Sequence, residues 1–116
     1  MPIELNNREF MWISRALKNA RECLEDQNYR SALLELKKPM KRMESQPIST
    51  RLQALCQITQ ADAWHALHKP EEELKCLKAA DAIFAKLQDE SEEATDIRKR
   101  ITEIIAHEKA AGSDEC

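Results

Sequence analysis

One glycine in 116 residues, Gly112, limits what this chain can fold into more than any other feature. Glycine supplies the left-handed backbone of tight hairpin turns, so a sheet of short strands has almost no turn chemistry to draw on here. The rest of the composition favours helices, with 34% charged and 42% hydrophobic residues and four prolines. A loop that cradles phosphate through several glycines cannot be written at all, which excludes P-loop and dinucleotide-binding sites.

Apolar residues recur at steps of three and four, which predicts five helices. The first starts near Asn6 or Asn7, with Asn6 and Glu9 spaced as a capping box, and carries the stripe Phe10, Ile13, Leu17, Ala20, Leu24. The second, about Tyr29 to Met43, carries Tyr29, Ala32, Leu33, Leu36, Met40 and Met43. Pro39 lies inside it and predicts a kink or short break near Lys38. The third is capped by Ser49 or Thr50, with Thr50 and Gln53 again spaced as a capping box, and holds Leu52, Leu55, Cys56, Ile58, Ala63, Trp64, Ala66 and Leu67. Pro70 opens the fourth, where its missing N–H costs nothing, and Leu74, Leu77, Ala80, Phe84 and Leu87 form its stripe. The fifth starts near Ser91 or Glu92 and presents Ala94, Ile97, Ile101, Ile104 and Ile105. Loops this short predict antiparallel neighbours. One domain over residues 1–111 with a disordered tail at 112–116 is the expected organisation.

The net charge of -3 gives no general attraction to nucleic acid or anionic membrane, and no apolar run is long enough to span a bilayer. Met1 to Asn7 lack a secretion-signal pattern, so cytoplasmic localisation and reduced thiols at Cys23, Cys56, Cys76 and Cys116 are expected.

Two segments repeat at an offset of 41 residues. Ala20, Cys23, Tyr29, Ala32, Leu33 and Leu36 in the first correspond to Ala61, Trp64, Pro70, Glu73, Leu74 and Leu77 in the second. This pattern resembles the tetratricopeptide-repeat family over roughly residues 10 to 88. It departs at Pro39 and at Glu73, where the family favours small residues, and neither repeat has the turn glycine. The resemblance implies an all-α, right-handed solenoid of stacked antiparallel hairpins, with the fifth helix as an amphipathic cap. A generic antiparallel bundle is the alternative architecture. The resemblance also implies a concave groove lined by the first helix of each pair, at Ser14, Leu17, Lys18, Arg21, Thr59, Asp62 and His65, with Ile58 adding apolar contact. Members that grip acidic chaperone tails carry a Lys and two Asn where this chain has Leu17, Arg21 and Thr59, so that activity is not expected.

The remaining chemistry is sparse. His65 and His68 are spaced to share a metal, with Glu72, Cys56, Cys76 or His107 as further ligands, but nothing in the spacing gathers them, and helix-end interactions explain both histidines equally well. The cysteines lie at or beside apolar stripes, which points to packing rather than nucleophilic catalysis. Glu71, Glu72 and Glu73 read as a solvated helix start. Lys37, Lys38, Lys41 and Arg42 read either as a solvated face or as a docking patch for an acidic partner. Trp12, beside Met11, falls off the main stripe and is either a contact for a partner or a second copy of the chain, as in a homodimer, or packed against the second helix or the N-terminal residues. The expected function is a non-enzymatic protein-interaction module, an adaptor or assembly subunit without metal or cofactor, that binds another protein or peptide segment through Leu17, Lys18, Arg21, Ile58, Asp62, His65 and Trp12. Alternatives are a small dedicated chaperone, similar in build to type III secretion chaperones, and a metal or thiol enzyme.

Overall fold

A computed structural model describes residues 6–46 and 50–114, with side chains as far as Glu108. The described residues form five helices and no strand: α1 (Asn7–Glu25), α2 (Tyr29–Glu44), α3 (Arg51–Ala66), α4 (Pro70–Leu87) and α5 (Glu92–Asp114). The start signals act as the residue types predict. Asn6 accepts from the Glu9 N–H at 2.8 Å while the Glu9 carboxylate accepts from the Asn6 N–H at 3.4 Å. Thr50 accepts from the Gln53 N–H at 3.3 Å, but the reciprocal half of that box is not made, because Gln53 Oε1 is buried without a hydrogen-bond partner. Ser49, the other candidate cap, lies outside the described residues. Ser91 accepts from the Ala94 N–H at 3.4 Å at the head of α5. Helix α2 runs without a break through the buried Pro39, and α5 continues to Asp114, past the Ala111 boundary expected from the sequence.

Among the described residues three helices end in one turn geometry. Helices α1 and α3 end in the same way, with a left-handed residue at Gln27 (φ 64°) and at His68 (φ 60°). In both, the next N–H reaches back to close the turn: Asn28 donates to the Cys23 carbonyl at 2.7 Å and Lys69 to the Trp64 carbonyl at 3.0 Å. Gln88 (φ 53°) ends α4 with the equivalent bond from Asp89 to the Phe84 carbonyl at 2.9 Å. The missing glycine is replaced by glutamine and histidine held in a conformation that glycine adopts freely.

Consecutive helices pack on one another, and α1 also packs on α3. Two apolar clusters result. The first gathers Ile13, Ala16, Leu17 and Ala20 of α1, Ala32, Leu36, Met40 and Met43 of α2, and Cys56 and Ala63 of α3. The second gathers Ala54 and Ala61 of α3, Leu77, Ala80, Ile83 and Phe84 of α4, and Ala94 and Ile97 of α5. Helix α3 therefore faces both, and its small residues let neighbours approach from two sides. A radius of gyration of 15.1 Å exceeds the roughly 13 Å of a globule of this length, and the 52 × 33 × 26 Å extents show the elongation.

Several stripe positions lie outside these clusters. Phe10, Leu87 and Ile105 are exposed, although spacing assigned them to apolar faces. Burial on α1 centres on Ile13, Ala16 and Ala20, which leaves Phe10 at the edge, while Leu87 sits at the last residue of α4. Ile83 is buried in place of Leu87.

Ion pairs tie helix ends together. Glu9 in the first turn of α1 pairs with Arg42 in the last turn of α2, and this guanidinium holds the Glu9 carboxyl below its ordinary range. Arg51 at the start of α3 reaches Asp89 at 2.5 Å and Glu93 at 3.0 Å, with its guanidinium 5.7 Å from the centre of the Phe84 ring.

Candidate functional site

The residues expected to line one groove are distributed over three places. Ser14, Leu17, Lys18 and Arg21 of α1 do meet Leu55 of α3 in a shallow depression. Within it Leu17 is only 9% exposed and belongs to the first cluster, so its side chain fills the core instead of offering contact surface. Thr59 is buried, and its hydroxyl donates to the Leu55 carbonyl at 3.0 Å, which satisfies it inside the helix. Ile58 packs against the second cluster. Lys18 and Arg21 remain open to solvent.

Asp62 and His65 belong to a different arrangement, built around Glu73. This residue is 4% exposed, contrary to its expected place in a solvated helix start. Its carboxylate meets His65 Nδ1 at 3.0 Å and the Arg100 guanidinium at 2.9 Å, and Arg100 also reaches Asp62 at 2.8 Å. A carboxylate this buried needs such partners, because desolvation otherwise opposes its charge. Arg100 of α5 thus joins Asp62 of α3 to Glu73 of α4, while His65 of α3 pairs with Glu73 alone. All three histidines, His65, His68 and His107, line the recess beside this network. Among the described residues no group of three or more His, Cys, Asp and Glu is placed to hold a metal ion.

Among the described residues the cysteines are free thiols, and Cys23 packs against the first cluster. Cys56 sits in the first cluster and Cys76 against the second. Burial pushes the Cys56 thiol up to about 12 and the Cys76 thiol up to about 11, the wrong direction for a nucleophile.

The outward side of α1 and α2 is different in character. Large apolar side chains there are open to water: Phe10, Met11 and Trp12 on α1, and Leu34 on α2. Trp12 shares a depression with Arg15, Leu34, Lys37 and Lys38. Leu34 and Lys37 also border a larger trough between α2 and α3, which Arg30, Leu33, Met40, Lys41 and Trp64 line. Sequence periodicity assigned Leu33 to the core stripe and passed over Leu34. The signal that locates this face is the spacing Arg30, Leu34, Lys37, Lys41, which runs along one side of a helix at steps of four, three and four.

Compared with known proteins, the chain matches no family model, no curated protein and no solved structure. Among the described residues no helix is long and apolar enough to cross a membrane.

Proposed function

We propose that this chain is a non-enzymatic protein-interaction module, built as a short stack of antiparallel tetratricopeptide-like hairpins, which receives a partner on the outward side of its first two helices. The observation that carries this reading is the exposure of Trp12 (43%) and Leu34 (69%) in one depression between α1 and α2, with Phe10 (51%) and Met11 (64%) exposed next to Trp12 along α1. Large apolar side chains grouped in water, with one aromatic anchor among cations, are the usual make-up of an interface centre. The paired stack is supported by the Glu9–Arg42 link between the first turn of one helix and the last turn of the next. The matching turns at Gln27 and His68, and the elongated form, support it further. Raised thiol pKa values at Cys56 and Cys76 weigh against a thiol enzyme.

The test is co-purification from an extract of the source cells, comparing the natural chain with Met11→Ser/Trp12→Ser and with Leu34→Ser. A stoichiometric partner held by the natural chain and lost by both variants is the expected result. Lys18→Glu/Arg21→Glu probes the α1–α3 depression separately. If only that variant loses the partner, the docking surface lies there instead. A natural chain that recovers no stoichiometric partner would sink the reading.

A further inference from the structure

We infer that the trough between α2 and α3 is a seat for an acidic amphipathic helix of a partner protein. This rests on the protein-interaction reading and deepens it: Leu34 and Lys37 border both the α1–α2 depression and this trough, and the trough's lining names the chemistry of an occupant. The trough encloses about 710 Å³. Its floor is apolar, from Leu33, Met40 and Trp64, and Leu34 stands 69% exposed at its edge. Arg30, Lys37 and Lys41 follow its length, against Glu44 as the carboxylate on its wall. Among the described residues none of these three cations has an ion-pair partner, although the chain as a whole carries a net charge of -3. Three cations against one carboxylate leave the trough net positive on a chain that is net acidic.

The arrangement is costly without a ligand. Lys37 and Lys41 are one turn apart on the same helix face, where like charges repel, and Leu34 between Arg30 and Lys37 exposes apolar area to water. An incoming helix with leucines on one face and glutamates beside them would relieve both costs at once. The span from Arg30 to Glu44 is about 21 Å, room for some four turns of helix lying parallel to α2. Charge complementarity selects an acidic partner. The apolar floor distinguishes this seat from a plain polyanion patch, which would favour cations without exposed leucine.

The test uses the full chain carrying Trp12→Phe, so that Trp64 is the one indole and reports on the trough. Two synthetic peptides of about 16 residues serve as probes, both with leucines spaced three and four apart, one filled with Glu and the other with Lys. The Glu peptide should shift Trp64 emission saturably and the Lys peptide should not. Lys37→Glu/Lys41→Glu and Leu34→Glu, each folded by circular dichroism, should weaken the Glu peptide by at least about tenfold. Raising salt from about 0.05 M to about 0.5 M should weaken it as well. No response to the Glu peptide overturns the seat. So does binding that both variants leave unchanged, or tighter binding by a single-stranded RNA of about 20 nucleotides. Self-association of the chain that Leu34→Glu abolishes would assign the face to a second copy and overturn it also. In each case the interaction reading stands or falls separately, on recovery of a native partner.

Discussion

Glutamine at 27 and 88 and histidine at 68 occupy backbone that costs any residue with a Cβ about 1–2 kcal/mol, at φ values of 64°, 53° and 60°. None of these side chains has a hydrogen bond that requires it among the described residues, and all three are exposed. Replacing each with glycine should therefore stabilise the fold by about 0.5–1 kcal/mol after the extra freedom glycine gains in the unfolded chain is subtracted. Chemical denaturation of Gln27→Gly and His68→Gly, singly and together, measures this, and additive gains are expected because among the described residues no hydrogen bond or ion pair links the two turns. A loss of stability in either would show that the side chain contributes more than its backbone strain costs. The thiols offer a second check at this scale. Cys56 is fully buried with its pKa pushed up to about 12, so at pH 8 its thiolate fraction is negligible. Alkylation by iodoacetamide should leave Cys56 intact in the folded protein and modify it rapidly in denaturant. Equal rates in both states would mean that this part of the core opens readily.

Among the elements, helices were legible because their signals are local. Capping residues, Pro70 at the first position of α4 and the spacing of apolar side chains act within a few residues of where they are written. What could not be read was which side of a helix meets a neighbour when several sides are plausible. Leu34 and Leu33 are adjacent and chemically alike, and only the position of α3 decides which of them is left in water. Glu73 is the sharper case. Its sequence neighbours Glu71 and Glu72 suggest solvent, but Arg100, distant in the sequence, pairs with it and makes it the one buried carboxylate of an otherwise part-exposed ion network. That network predicts its own energetics. Arg100→Met leaves the Glu73 carboxylate buried with only His65 beside it and should cost about 2–3 kcal/mol, toward the low end because the arginine side chain is 29% exposed. Adding Glu73→Leu should recover most of the loss, since a well-packed apolar pair removes the stranded charge. Thermal melts of the two singles and the double would measure the coupling, and a double variant no better than Arg100→Met would refute the account.

At the scale of the molecule, α3 has two neighbouring apolar clusters where every other helix has one. This explains why its apolar and small residues do not confine themselves to a single stripe: a helix covered on two sides has little reason to be amphipathic. It also makes α3 the element on which both halves depend. On the stacked arrangement proposed above, opening begins at the ends and the shared middle opens last. Amide hydrogen exchange should therefore be slowest between Ala54 and Ala63, where five side chains are buried from both directions (Ala54, Cys56, Thr59, Ala61, Ala63). It should be fastest in the first turn of α1 and in α5 beyond Ile104, whose outward face carries the exposed Ile105. Cavities placed in the two clusters sharpen the distinction. Leu36→Ala and Phe84→Ala should each cost roughly 2–5 kcal/mol. The first should speed exchange in α1 and α2 ahead of α4, and the second in α4 and α5 ahead of α2, with α3 last in both. If either cavity instead raised exchange evenly along all five helices, the chain would be opening as one closed unit, and the stacked arrangement that leaves the outward face of α1 and α2 free for a partner would have to be given up.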